Sequence, residues 1–293
     1  VDDPYHLTPE GIKEPPEGWG ASVRYFGPGL ILSASIVGSG ELIATTTLGA
    51  QAGFAILWMV IFSTLVKVAV QIELARWTIL TGEPALTGYN KVPPKLGRLG
   101  WVNILWIVLA LSKVLQLGGI VGGVAVALSV LVPIGGDPLS FTSTAIWAVI
   151  VVVTSIVLLY SNRYGLIERG AVLLVVVFSA VTILIALGLP FTPFAYSSGD
   201  VIGGLQFAIP AGALGAAIAM FGITGVGADE ITFYTYWCCE KGYARWTGPN
   251  DGSEDWERRA NGWIKVMYKD AFLCWFIYTF GTLAFFIMGA AVL

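Results

Sequence analysis

Apolar residues gather in blocks near 27–50, 54–80, 101–132, 144–160, 166–190, 208–237 and 268–293, parted by short polar stretches. A helix needs about 20 residues to cross a hydrocarbon core of about 30 Å, and each block but 144–160 meets that length outright. The pattern therefore predicts an all-α integral membrane protein with seven spans. Composition agrees: 56% of the residues are hydrophobic and 12% charged, against roughly a quarter charged in soluble domains.

The distribution of charge supplies an independent test. Connections after the first, third and fifth blocks contain no Lys or Arg, whereas Lys13, Arg24, Arg76, Lys91, Lys95, Arg98, Arg163, Arg169, Lys241, Arg245, Arg258, Arg259, Lys265 and Lys269, 14 of the 16 basic residues, fall on the side of the amino terminus. The positive-inside bias makes that side cytoplasmic, and the expected location is a bacterial cytoplasmic membrane. A net charge of −3 with scattered basic residues excludes a nucleic-acid-binding face. Cys238, Cys239 and Cys274, with the single His6, have no metal-ligand spacing. No nucleophile, base and orienting group cluster, so an enzyme is not expected.

Two blocks are interrupted. The first contains Ile36-Val37-Gly38-Ser39-Gly40-Glu41-Leu42-Ile43, and the sixth contains Ile223-Thr224-Gly225-Val226-Gly227-Ala228-Asp229-Glu230-Ile231. Both run from an apolar lead through Gly-x-Gly to an acid, near mid-membrane. One block enters from the inside and the other from the outside, the signature of an inverted repeat of five helices plus five. Carboxylates at that depth are costly and mark functional sites by default. Unwound backbone there frees carbonyl and N–H groups to bind ions or polar solutes. The candidate substrate site is therefore Gly38, Ser39, Gly40 and Glu41 with Gly225, Val226, Gly227, Asp229 and Glu230. By contrast, Gly118-x-x-x-Gly122 and Gly119-x-x-x-Gly123 read as helix-packing glycines.

Lys67 and Lys113 stand inside predicted spans. Each can pair internally with Glu41, Asp229 or Glu230, take part in proton coupling, or snorkel to the interface. Gln71 and Glu73 read as packing or interfacial residues, and the aromatic run Tyr234–Trp237 with Lys241 and Arg245 as an interfacial belt.

Gly27-Pro28-Gly29, Gly49-Ala50-Gln51-Ala52-Gly53-Phe54, Leu57-Trp58, Gln71, Arg76 and Thr81-Gly82 stand in an order and spacing that resembles the Nramp family of divalent-metal transporters. That resemblance implies a LeuT-type inverted-repeat fold with discontinuous helices 1 and 6. It departs from the family at the site: Gly38-Ser39-Gly40-Glu41 replaces the usual Asp-Pro-Gly-Asn, and Val226-Gly227-Ala228 replaces Met-Pro-His. The soft thioether and the imidazole are gone, leaving hard oxygen donors, so a metal here is expected to be Mg2+, Ca2+ or Mn2+ held by Glu41, Asp229 or Glu230 and carbonyls near Gly38 and Gly225.

The expected organisation is a polar cytoplasmic segment 1–26, a first five-helix repeat 27–190, an external loop 191–207, and the start of a second repeat 208–293. A chain beginning at Val1 and ending two helices into its second repeat is expected to be trimmed. Further helices of the same protein, or a partner subunit, then complete it within the lipid bilayer. The leading functional expectation is secondary-active transport of a divalent cation, with no resident cofactor; a carrier of another small solute and a non-transporting structural subunit are the alternatives.

Overall fold

A computed structural model describes residues 5–160 and 164–293, without the side chains of 39, 40, 164–169, 171, 172 and 175. The described chain is helical apart from a two-strand hairpin, Lys95–Leu96 with Leu99–Gly100. The principal helices are α1 (Pro28–Ile36), α2 (Ser39–Ala52), α3 (Leu57–Thr81), α4 (Trp101–Leu131), α5 (Phe141–Tyr160), α6 (Tyr164–Gly188), α7 (Leu214–Ile223), α8 (Ala228–Lys241) and α9 (Glu254–Val292). Every expected span falls on one of these helices or on a broken pair. Five described stretches are long and apolar enough to cross a membrane: Glu41–Thr81, which includes the turn Gly53–Ile56, Trp101–Leu131, Phe141–Tyr160, Leu214–Lys241 and Glu254–Val292. The protein is an integral membrane protein.

Two compact units divide the chain, Val1–Asn103 with Val172–Leu293, and Ile104–Ala171. In the first, α9 packs along α1, α2 and α3. Its crossing with α2 is close because a glycine on each helix faces the backbone of the other: a Cβ at Gly49 would overlap the Phe286 carbonyl, and one at Gly289 the Thr46 carbonyl. Backbone approach of this kind is what small residues allow in membranes. Gly53 turns the chain between α2 and α3 with φ of 57°. The loop before α7 is anchored on that turn: Trp58 N–H donates to the Gly204 carbonyl at 2.9 Å, and its indole to Ala208 at 3.0 Å. At the other end, α9 begins with Ser253 accepting from the Trp256 amide at 3.1 Å, and Glu254, Asp255 and Glu257 fill its first turn. These acids complement the positive helix end.

Tyr25, Tyr243, Trp246 and Trp263 form an aromatic cluster beneath α1, with Trp246 and Trp263 rings 4.7 Å apart. Trp237 packs against the buried core, and Cys238 and Cys239 are buried thiols. The expected interfacial belt thus turns partly inward, because α8 packs on both α1 and α3.

In the second unit α4 and α5 meet near their connecting loop, where Ser129 and Ser143 hydroxyls are 2.6 Å apart and the Trp147 indole donates to Val132 at 2.8 Å. Their remaining surface is apolar and exposed, as at Leu115 (81%) and Leu159 (69%), which suits contact with lipid. The packing expected of the glycine stripe on α4 is not seen: a Cβ at Gly118, Gly119 or Gly122 would meet open space. The reason is that the α4–α5 contact lies a turn and more beyond these residues, at Ser129. Lys113 lies half-buried on α4 in this unit.

Candidate functional site

Both predicted breaks are present. α1 ends at Ile36, Val37 leaves helical geometry (φ −76°, ψ 63°), Gly38 is extended (φ −130°, ψ −162°), and α2 begins at Ser39. The side chains of Ser39 and Gly40 lie outside the described residues. α7 ends at Ile223, Thr224 is extended, Gly225 takes φ of 69°, and α8 starts after Gly227.

Glu41, in the first turn of α2, joins the two breaks. It is 4% exposed, and its Oε1 accepts from the Gly225 N–H at 2.7 Å. Its Oε2 accepts from Thr45, one turn along the same helix. A buried carboxylate with such charge-assisted partners is held in a fixed orientation. The carboxylate of one break is thus bonded to the backbone freed by the other.

Around Gly225 two helices present polar faces. On α3, Ser63, Thr64 and Lys67 share one side by their three- and four-residue spacing. Ser63 bonds the Thr224 hydroxyl, and the Lys67 ammonium donates to the carbonyls of Thr224 at 2.6 Å and Gly222 at 3.1 Å. On α9, Trp275, Tyr278, Thr279 and Thr282 form the matching stripe; Thr279 and Trp275 donate to Thr64 at 3.1 and 3.3 Å.

Asp229 and Glu230 are placed differently. A Cβ added at Gly227 would stand 2.8 Å from Asp229 Oδ1 and overlap Glu230 Oε2, so both carboxylates bend back over the start of α8. There they stand at the positive end of the helix, Asp229 buried and Glu230 half-buried. Glu41 is bonded across the two breaks, whereas Asp229 and Glu230 fold over the start of α8. Among the described residues no group of three His, Cys, Asp or Glu side chains is placed to hold a metal. Two hydrogen bonds of Lys67 go to carbonyls of the broken helix. Val226 is fully buried and belongs to the core. Gln71 is also fully buried, one turn beyond Lys67 on α3, while Glu73 pairs with Arg76 at 2.9 Å in an exposed position.

Another buried carboxylate escapes the sequence reading. Asp270 on α9 accepts from the amides of Gly29 at 2.7 Å and Gly27 at 3.3 Å, capping the start of α1. A Cβ at Gly29 would lie 2.7 Å from the Asp270 carbonyl oxygen, which accounts for glycine in the Gly27-Pro28-Gly29 motif. Lys241 secures the same corner by donating to the Phe26 carbonyl at 2.8 Å. Asp270→Ala, which removes both acceptors, is expected to cost about 0.5–2 kcal/mol, in the range of a lost cap; a thermal melt in detergent measures it, and an unchanged melting temperature would mean that the cap contributes nothing.

The Nramp family model, natural resistance-associated macrophage protein-like, matches residues 29–293. Natural resistance-associated macrophage protein 2 of Homo sapiens is 29% identical over 144 residues, which is 48% of this chain and 23% of that protein. Metal transporter Nramp3 of Arabidopsis thaliana is 27% identical over 165 residues, 56% of this chain and 30% of that one. The solved manganese transporter of Eremococcus coleocola superposes with a TM-score of 0.67 at 17% identity, covering 98% of this chain and 56% of its own. The chain thus spans about half of that transporter, and its matched stretch less than a third of the curated relatives. With the discontinuous helices of a LeuT-type fold and a family match over nearly its whole length, the chain belongs to the Nramp family.

Proposed function

We propose that the protein is a secondary-active transporter of a divalent metal cation, which it admits between the two helix breaks near the bilayer midplane. The observation that carries this reading is the 2.7 Å bond from the Gly225 N–H to Glu41, which ties the two discontinuous helices through a buried carboxylate. Family membership and the described manganese transporter support it further. The cargo is a hard ion, Mn2+ or Mg2+: the oxygens of Glu41, Thr45, Thr224 and the freed carbonyls suit such ions. Gly38, Ser39, Gly40 and Glu41 form one wall of this site, and Gly225, Val226 and Gly227 the other, with Asp229 and Glu230 raising the negative potential at its edge. Lipid is the surrounding partner, and the further helices of a second repeat complete the scaffold against which the broken helices move. The amino terminus faces the cytoplasm of a bacterial cell, as the distribution of basic residues supports.

Liposomes reconstituted with the protein are expected to take up Mn2+ and Mg2+ in a saturable manner and to discriminate against Cd2+. Uptake no greater than that of protein-free liposomes for both hard ions would remove the transport reading. Strong preference for Cd2+ would remove the hard-ion assignment alone.

A further inference from the structure

The carbonyl end of α7 meets a cation that belongs to the chain itself. Lys67 reaches from α3 to place its ammonium 2.6 Å from the Thr224 carbonyl oxygen and 3.1 Å from that of Gly222, the carbonyls that the break releases from the helical ladder. A helix C-terminus carries partial negative charge, and released carbonyls deep in a membrane are the groups that bind cations in discontinuous helices. The ammonium also lies 5.8 Å from the Phe221 ring centre. Ser63, one turn away on the same face of α3, bonds the hydroxyl of Thr224, the residue whose carbonyl Lys67 uses.

We propose that Lys67 is a tethered cation that occupies the carbonyl half of the site and competes there with the transported ion. This rests on the divalent-cation reading and adds to it a specificity-determining residue. With the ammonium in place, the break is electrically matched without an ion from solution. A divalent ion gains the carbonyls only when the lysine side chain moves away, so Lys67 lowers resting affinity and excludes ions that bind too weakly to displace it. Arginine keeps the charge and methionine removes it at similar volume, which separates the electrostatic role from packing.

The test compares wild type, Lys67→Arg and Lys67→Met in detergent, by calorimetric titration with Mn2+ and Mg2+ and by thermal melting with those ions or with methylammonium. Lys67→Met is expected to bind Mn2+ at least tenfold more tightly than wild type and to be stabilised by methylammonium, which can fill the vacated position. Wild type and Lys67→Arg are expected to show neither change. Equal or weaker Mn2+ binding by Lys67→Met, with no stabilisation by methylammonium, overturns the proposal. So does a Lys67→Met protein that cannot be recovered even when purified with these cations, since an ion should replace the ammonium. Stabilisation of Lys67→Met by methylammonium while Mn2+ and Mg2+ bind no form would uphold the tethered cation and sink divalent transport. Saturable Mn2+ uptake by wild-type liposomes, with a Lys67→Met protein indifferent to every cation, would do the reverse.

Discussion

Glu41→Gln is expected to lower Mn2+ uptake at least tenfold while leaving the protein folded, and Glu41→Ala is expected to lower both uptake and stability. The difference follows from the two bonds the carboxylate makes. Gln keeps an oxygen that can accept from the Gly225 N–H, now 2.7 Å from Glu41 Oε1, and a second polar atom toward Thr45. What it lacks is the negative charge that a divalent ion entering the break would meet. Ala leaves a buried N–H and a buried hydroxyl without their acceptor, a loss of about 1–3 kcal/mol for each unsatisfied group. Parallel measurements of uptake in liposomes and melting in detergent separate these effects. Wild-type uptake by Glu41→Gln would place Glu41 among the structural latches of the fold, outside the ion path, even if Glu41→Ala melted early.

Much of this architecture is legible in the sequence because bilayer length and charge bias act on whole segments. The seven apolar blocks coincide with helices, and Gly-x-Gly followed by an acid locates both breaks to within a few residues. What the sequence leaves open is which group each acid faces. Glu41 and Gly225 are 184 residues apart, and their bond depends on how α2 lies against the break between α7 and α8. Asp229 and Glu230 show a sharper ambiguity: an acid just after a break is both a candidate ligand and an ordinary first-turn residue, and the two demand the same letters. Their fold-back over Gly227 is decided by side-chain rotation. Asp270 is missed for a related reason. An acid near the start of a span reads as interfacial, and only the approach of α9 to Gly29 turns it into a cap. The polar stripe of α9 carries a weaker signal, Thr279 and Thr282 with Trp275 and Tyr278 at helical spacing, that points to a face but not to its partner. On α4 the glycine stripe points to packing that the described helices do not supply.

At Gly225 a single methyl group is expected to do large damage, and its comparison with Gly227 shows why the two glycines of one motif are not equivalent. Gly225 has φ of 69°, a conformation that costs a residue with a Cβ about 1–2 kcal/mol. An added Cβ would also lie 2.8 Å from Thr64 Cγ2 and 3.2 Å from Tyr278 Cε2. Neither neighbour can yield easily: Thr64 is held by bonds from Trp275 and Thr279, and the Tyr278 ring is fully buried. Overpacking of that kind adds about 1–3 kcal/mol, so Gly225→Ala is expected to lose about 2–5 kcal/mol in all, and to displace the amide that holds Glu41. Gly227 has φ of −79°, which any residue can adopt, and the atoms in the way belong to the Glu230 and Asp229 carboxylates. Those atoms are the far ends of side chains and not backbone, so Gly227→Ala is expected to cost less than Gly225→Ala. Melting temperatures of the two variants, measured side by side in one detergent, provide the check. If Gly225→Ala melts with wild type, or if Gly227→Ala is the more damaged of the two, then the left-handed turn that presents the Gly225 N–H to Glu41 is not what holds the second break open.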